Sequence, residues 1–367
     1  MKKEPVQISI IIPCKDAEHQ IASCLSSLLQ QKTSISYEII IIDNNSNDNS
    51  YRNLQSLAKK NEKIIISKEQ KSGSPAARNH GAQLARGNIL AFTDVDCEFE
   101  ENWIHRIVQP LLSNKTHAPI GATHGQTISK LPIDRKMNLW ERYLDNLFFE
   151  FDKQRFNAYF LPWGPTCNLA VRKDVFFAVG MFDENFTSAA YDIDLCWRLL
   201  YSGWALQHTS DAVVYHERRS SLLALLRQWE NYFACNFSMF REYRKQKENP
   251  WKIEPCHPIK DFFRLSYEMF RGLRYIEHKS PLNIFIKLSF FLGISRCIYS
   301  NLKPQNSLAA SRMGQLDIVE KLLPNQYKNI YKQWWWWIDP NSSIKEPILL
   351  RKNRTTMELS AMPADLC

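Results

Sequence analysis

Two aspartates separated by one residue follow a short apolar segment in the first third of the chain. Asp94 and Asp96 come just after residues 89–92, which have the length and composition of a buried strand. An ionised carboxylate is costly to bury unless a cation pairs with it, and ligands of open α/β sheets bind at the carboxyl ends of the strands. We therefore expect these aspartates to hold a cation, although they could equally end a strand and cap the next helix.

A second pair of aspartates has the same spacing. Asp192 and Asp194 begin an amphipathic segment, where the helix macrodipole favours acidic residues, so capping alone would explain them. His216 follows a predicted pair of strands at residues 204–208 and 212–215. A single histidine is more often structural than a metal ligand, so each of these features is weak on its own.

Alternating strands and helices must position these side chains. Four apolar strands, near residues 8–12, 38–42, 63–67 and 89–92, alternate with four amphipathic helices. Such an order implies right-handed crossovers and a mostly parallel sheet. The first, second and fourth strands all end in polar residues.

The loop after the first strand contains no glycine-rich phosphate motif. Pro13 fixes the direction of the chain there, and Asp16 follows shortly after it. This counts against a Rossmann dinucleotide site, a P-loop and the sugar nucleotidyltransferases, which surround phosphate with glycine backbone at this point. Phosphate charge must instead be met by a metal or by a basic side chain such as Arg78.

The composition limits the class of protein. The 367 residues suffice for one large or two ordinary domains, and the nine cysteines are odd in number and form no CxxC pair. This pattern predicts a reducing compartment without a zinc or disulfide framework. The polar amino terminus predicts no secretory signal, and Lys287 and Arg296 interrupt the longest apolar stretch, at 284–302.

The carboxy-terminal third holds most of the net charge of +9. Residues 227–303 contain 14 basic and 7 acidic side chains among many aromatics, and residues 334–337 are four consecutive tryptophans. Such a region could lie on an anionic membrane surface or pack as a helical core on the first domain. No nucleic-acid motif accompanies it, so we expect no nucleic-acid partner. We predict domains at 1–245 and 246–340, the second helical, and a poorly ordered tail at 341–367.

Taken together, the motifs resemble the inverting family-2 glycosyltransferases with the GT-A fold. The resemblance covers about residues 6–245 and implies an α/β, Rossmann-like mixed sheet flanked by helices, to which the helical carboxy-terminal extension is added. The matching segments, in order, are 8–13, 41–46, Ala77-Arg78-Asn79, Asp94-Val95-Asp96, 168–172, 180–184, 192–199 and His216.

On the donor side, the resemblance implies that Asp94 and Asp96 are a DXD motif. Such carboxylates hold Mg²⁺ or Mn²⁺ against the donor diphosphate, and His216 resembles a histidine that completes the metal shell in some relatives. The cation neutralises charge on the departing nucleoside diphosphate. The remaining donor-side residues that the resemblance implies are Pro13, Asp16, Asp43 at the base, and Arg78 and Asn79 near the nucleotide.

On the acceptor side, residues 191–199 resemble the Glu-Asp motif of the family. Its carboxylate deprotonates the acceptor hydroxyl as a general base. Tyr191 stands where the family usually has Glu, so Asp192 becomes the candidate base and Asp194 the alternative. The resemblance also places Trp163, Gly164 and Asn168 on the sugar and acceptor side.

The sequence thus predicts a metal-dependent enzyme that transfers a sugar, with inversion, from a nucleotide-diphosphate-sugar to an acceptor hydroxyl. The expected acceptor is a glycan or a lipid-linked glycan in bacterial-type surface polysaccharide or glycolipid assembly. The expected location is the cytoplasm, with peripheral attachment to the inner face of the membrane. The main alternative is a catalytically inactive relative that serves as a binding or scaffolding protein. Tyr191 favours this alternative because it stands where the family usually has Glu. A nucleotide-sugar pyrophosphorylase and a basic nucleic-acid binder are further alternatives.

Overall fold

A computed structural model describes most of the first 217 residues. It covers residues 5–112, 119–130, 163–186 and 189–217, helical parts of 223–235, and the backbone of three strands between 334 and 360. The sequence-predicted helical extension and tail lie outside the described residues except for those three strands.

The first half of the sheet is parallel, as the sequence predicts. Strand β1 lies between β2 and β4, and β3 follows at the edge beyond β2. Alternate residues of β1 enter two different cores: Ile10 and Ile12 belong to one and Ile11 to the other. Burial on both faces explains why β1, β2 and β4 read as continuous apolar runs. The elements are β1 (Ile8–Cys14), α1 (Ile21–Leu29), β2 (Tyr37–Asp43), α2 (Ser50–Ala58), β3 (Ile64–Lys68), α3 (Ser74–Leu84) and β4 (Ile89–Phe92).

The second half makes the sheet mixed. Strand β7 pairs antiparallel with both β4 and β6, while β8 runs parallel to β6. The short strand β5 leaves the main path and pairs antiparallel with the end of β8. The elements are β5 (Cys97–Phe99), α4 (Trp103–Leu112), β6 (Ile120–Ser129), β7 (Leu169–Arg172), α5 (Lys173–Ala178), α6 (Tyr191–Tyr201) and β8 (Ala205–His216), with a 3-10 turn at Thr166–Asn168.

Strand β8 is continuous, whereas the sequence predicts two strands there. Its register against β6 shifts between Gly125 and Gln126, which pair with Thr209 and Val213. The residues between those partners form a bulge whose polar sequence reads as a turn. A Cβ atom on Gly125 would lie 2.1 Å from the Ala212 carbonyl oxygen, so only glycine fits opposite the bulge.

The described carboxy-terminal segments extend the same sheet. Strand β9 (Trp334–Ile338) runs parallel to β8, and β10 (Ile348–Arg351) and β11 (Leu359–Ser360) follow antiparallel. The four tryptophans therefore form a strand, and not the helix that the sequence suggests. Among the helices that the structure describes, none has both the length and the apolar character needed to cross a bilayer.

Candidate active site

The turn after β4 brings a carboxylate and an imidazole together. Because β5 pairs antiparallel with β8, Cys97 lies directly opposite His216. The Asp96 carboxylate precedes Cys97, and its Oδ1 atom lies 3.4 Å from Nε2 of His216. Potential ligand atoms of these three residues all lie within 4.8 Å of one another. The structure thus joins Asp96 and His216, which are 120 positions apart in the sequence.

These residues fit a divalent cation. Carboxylate oxygen suits Mg²⁺ and Mn²⁺, and imidazole nitrogen suits several divalent transition-metal ions. The Nδ1 atom of His216 is buried and has no hydrogen-bond partner among the described residues. In the described part of the chain, no other group of three histidine, cysteine or acidic side chains is arranged in this way.

Asp94 has a different environment from Asp96. Its Oδ1 atom accepts a hydrogen bond from Nη2 of Arg78, a guanidinium that is only 1% exposed. Burial opposes the charge of Arg78, but Tyr191 and Asp94 outweigh it and raise the pKa of the guanidinium above its usual value. Arg78 therefore stays charged and holds the first carboxylate of the pair.

Arg78 also connects this corner to the start of α6. Its Nη1 atom donates a hydrogen bond of 3.2 Å to the Tyr191 hydroxyl, and its guanidinium lies 5.3 Å from the centre of the Tyr191 ring. Asp192 follows in the first turn, half-buried, where its Oδ1 atom accepts a hydrogen bond of 2.9 Å from the amide of Ile193. One buried arginine thus contacts both Asp94 and the neighbour of Asp192.

Asp194 lies in the core. Its side chain is 1% exposed, and its Oδ2 atom accepts hydrogen bonds from Nε and Nη2 of Arg198 at 2.9 and 2.6 Å. Arg198 also donates to the backbone carbonyls of Val179 and Met181. This pair fastens α6 to the segment after α5, a structural arrangement.

Asp43 is the last residue of β2, and one of its carboxylate oxygens accepts no hydrogen bond from the described residues. The residue is 3% exposed, and its Oδ1 atom is buried without a hydrogen-bond partner among the described residues. Nearby, Asp16 accepts a hydrogen bond of 2.7 Å from the Asn47 amide, which ties the loop after β1 to the loop after β2. Pro13 lies within β1, opposite Ile42.

Two residues that the resemblance assigns to ligands, Asn79 and Gly164, make structural contacts. Asn79 uses its amide to bind the backbone of Phe182 and the carboxylate of Glu184. A Cβ atom on Gly164 would lie 2.4 Å from His124 Cβ.

Asn168 is fully buried and bridges β6 and β8 at the bulge. It donates to the carbonyls of Gln126 and Ala212 and accepts from the Trp103 indole. Trp163 is half-buried against the second core. Packing therefore accounts for much of this predicted acceptor side.

Buried thiols lie under the turn after β4, and the sequence predictions do not include them. Burial raises the pKa of the Cys97 thiol well above its usual value, whereas a hydrogen bond with Cys97 lowers the pKa of Cys167. The Cys24 thiol approaches the Asp94 carbonyl at 3.7 Å. The signal available in the sequence is that Cys97 directly follows Asp96.

Comparisons with known proteins identify the family of this chain. The family model described as glycosyl transferase family 2 matches residues 9–179. Glycosyltransferase AglE of Haloferax volcanii is 30% identical over 217 residues, which are 58% of this chain and 67% of that protein. The Escherichia coli protein WfgD, named UDP-Glc:alpha-D-GlcNAc-diphosphoundecaprenol beta-1,3-glucosyltransferase, is 31% identical over 107 residues, which are 29% of this chain and 42% of WfgD.

A solved structure has a similar fold. The mannosyltransferase PcManGT from Pyrobaculum calidifontis, in complex with GDP-Man and Mn²⁺, superposes with a TM-score of 0.53 and 14% sequence identity. The match covers 90% of this chain and 84% of that one. The chain described here is a glycosyltransferase with the GT-A fold and belongs to glycosyl transferase family 2.

Proposed function

We propose that the enzyme transfers one sugar from a nucleoside-diphosphate-sugar to an acceptor hydroxyl with inversion at the anomeric carbon. The observation that supports this most strongly is the position of Arg78, which contacts Asp94 and Tyr191 at once. It brings the corner containing Asp96 close to the helix start containing Asp192. Donor and acceptor chemistry can therefore take place at one edge of the sheet.

On the donor side, Asp96 and His216 would hold Mg²⁺ or Mn²⁺. When bound, the cation neutralises the charge that develops on the departing diphosphate. Asp94, held by Arg78, is assigned to orienting the donor rather than to direct metal binding. The unused Oδ1 atom of Asp43 suits a hydrogen bond from the nucleotide base. GDP-Man and Mn²⁺ in the structural neighbour support a nucleotide-sugar and a divalent ion here.

On the acceptor side, we assign the general base to Asp192. A single displacement needs a carboxylate that takes the hydroxyl proton on the side opposite the leaving group. Asp192 is half-buried at the helix start, whereas Asp194 is committed to Arg198 in the core. The sequence leaves Asp194 open as an alternative general base. We therefore do not assign that role to it. No covalent enzyme intermediate forms in this mechanism.

We further propose a glycan or lipid-linked glycan acceptor in surface polysaccharide or glycolipid assembly. The name of WfgD specifies a diphosphoundecaprenol acceptor, which is a lipid-linked glycan. The basic excess in residues 227–303 suits an anionic membrane surface at which such acceptors are found. A cytoplasmic location with peripheral membrane attachment fits both features. Sedimentation of the full chain with anionic but not zwitterionic vesicles would test this attachment.

A screen of nucleotide-sugars tests the donor assignment. We expect one donor to raise the melting temperature of the chain in the presence of Mn²⁺ and to have a smaller effect after chelation. The stabilising donor should then be consumed slowly, by transfer to water or to an added acceptor. Stabilisation without any consumption would instead favour the inactive binding protein, and stabilisation by no donor would contradict the proposal.

A further inference from the structure

The candidate metal corner contains a thiol as well as oxygen and nitrogen ligands. Cys97 and His216 are direct partners across the β5–β8 ladder, so their side chains project from the same face. The Cys97 Sγ atom lies 3.9 Å from Oδ1 of Asp96, and that oxygen lies 3.4 Å from the His216 ring. Strand pairing therefore places the thiol in the same cluster as the other two ligands.

A second thiol lies beside the first. Cys167 belongs to the 3-10 turn that precedes β7, and its thiol is close enough to that of Cys97 for the two to interact. The Cys167 Sγ atom also lies 3.6 Å from the Thr127 hydroxyl. Four side chains with metal-binding atoms thus converge from three parts of the sheet. One nitrogen among them, Nδ1 of His216, is buried without a hydrogen-bond partner in the described structure.

A set of ligands with two thiols and one imidazole is not the set that Mg²⁺ or Mn²⁺ prefers. Those ions prefer oxygen, whereas thiolate and imidazole together select Zn²⁺ and similar ions. Around a tetrahedral Zn²⁺, ligand atoms are separated by roughly 3.3 to 3.8 Å, given the usual bond lengths. Among Asp96, Cys97 and His216 the separations of up to 4.8 Å require side-chain movements of only about an ångström, and Cys167 must move toward them.

We propose that Asp96, Cys97 and His216 bind Zn²⁺, with Cys167 as the fourth ligand. The two thiol protons pass to the solvent as the sulfur–zinc bonds form. This inference rests on the proposed function in one respect. Since Asp96 and His216 are also assigned to the donor metal, Zn²⁺ and Mn²⁺ compete, and Zn²⁺ inhibits sugar transfer.

Cobalt spectroscopy tests the zinc site without any enzymatic assay. The metal-free full chain, titrated with Co²⁺, should develop a thiolate-to-cobalt charge-transfer band in the near ultraviolet, which Zn²⁺ then removes. We expect Cys97→Ser to weaken Co²⁺ binding by more than about 10-fold, since even outer-shell partners contribute that much. The double variant Cys97→Ser/Cys167→Ser should lose the band. The matched control Cys235→Ser, outside the cluster, should keep it.

Two further measurements keep the test decisive. His216→Gln, at a partly exposed position, should weaken Co²⁺ binding as Cys97→Ser does, which guards against misfolding of the cysteine variant. Electron paramagnetic resonance should show Zn²⁺ releasing bound Mn²⁺ from the wild-type chain. In Cys97→Ser, Mn²⁺ should still bind. The Zn²⁺ concentration that releases it should be at least about 10-fold higher than for the wild-type chain.

The possible failures are distinguishable. Absence of the cobalt band, or an unchanged band and affinity in Cys97→Ser, would overturn the zinc site and leave the donor assay unaffected. A normal cobalt band in a chain that transfers no sugar would overturn the proposed function and leave the zinc site in place. A normal cobalt band without release of Mn²⁺ by Zn²⁺ would show that the two ions do not share Asp96 and His216 as ligands, and would overturn that part of the proposal.

Discussion

Two segments of this enzyme contain aspartates two residues apart, and in each segment an arginine binds one of the two. After β4, Arg78 binds Asp94, while Asp96 lies beside His216. At the start of α6, Arg198 binds Asp194, while Asp192 directly follows Tyr191, which contacts Arg78. The same spacing thus gives one carboxylate held by an arginine and one placed at the candidate site.

The two arginine pairs differ in burial. In the Arg198 pair both side chains are at most 5% exposed, whereas Asp94 is 27% exposed beside a buried Arg78. A fully buried pair has lost its hydration and leaves almost no surface for a ligand to contact. The Arg78 pair still meets solvent, so it can also contact a ligand. Burial of the pair, rather than its presence, is therefore the basis on which we assign the two segments different roles.

The largest expected effect is that of Asp192→Asn on turnover. Loss of a general base lowers kcat by about 10²- to 10⁴-fold, whereas donor binding in the presence of Mn²⁺ should persist. Turnover assays and thermal shift measure the two quantities. The matched control is Asp174→Asn, because Asp174 is exposed and accepts a hydrogen bond from the next amide in the same way. Equal turnover in both variants would remove Asp192 from the mechanism.

Asp194→Asn should act on stability instead. Removing the charge leaves Arg198 buried without its ion-pair partner, which costs about 3 to 5 kcal/mol of unfolding free energy. Denaturant unfolding measures the loss. The double variant Asp194→Leu/Arg198→Met should recover part of it, because apolar side chains can replace a buried pair. A stable Asp194→Asn variant with lost turnover would reverse the roles assigned to the two aspartates.

Asp96→Asn should weaken metal binding. We expect the affinity for Mn²⁺ to fall by at least about 10-fold, together with metal-dependent donor binding. Titration calorimetry with Mn²⁺ measures this directly. Glu98→Gln is the control, since Glu98 lies two residues further along, in β5, and pairs with Lys130. If Asp94→Asn reduced Mn²⁺ affinity and Asp96→Asn did not, the assignment of the direct ligand would be wrong.

Tyr191→Phe should have the smallest effect. The change removes the hydroxyl that contacts Ser74 and Arg78 but keeps the ring under the guanidinium. A loss of about 1 kcal/mol in stability is expected for these hydrogen bonds. Turnover should fall only a few-fold, roughly in proportion to any displacement of Asp192. A loss as large as that of Asp192→Asn would show that the Tyr191 hydroxyl takes part in proton transfer.

The parallel half of the fold could be predicted largely because three of its four strands, β1, β2 and β4, are buried on both faces. Residues 8–12 read as a strand for that reason alone. Strand β6 could not be predicted from the sequence, although most of the strand is buried. Two glycines, Gly121 and Gly125, and several polar residues interrupt its apolar pattern. The bulge in β8 had the same effect, since its polar residues resemble a turn.

The candidate site could be predicted only in part. Asp96 and His216 come together as the motif order suggests, but sequence could not separate Asp192 from Asp194, because the difference lies in burial beside Arg198. The resemblance assigns Asn168 to the acceptor side, but its buried amide at the bulge could not be predicted, because such an environment has no signature in the sequence. The predicted boundary at residue 245 remains a prediction.

The most direct test of the account is the anomeric configuration of the first product. Proton NMR would follow the full chain with Mn²⁺ and the α-linked nucleotide-sugar that stabilises it most, during the first turnovers. Inversion predicts a β-linked product, or the β-anomer of the free sugar if water is the acceptor, and almost no such product from Asp192→Asn. An α-configured first product, or an unchanged rate in Asp192→Asn, would contradict it.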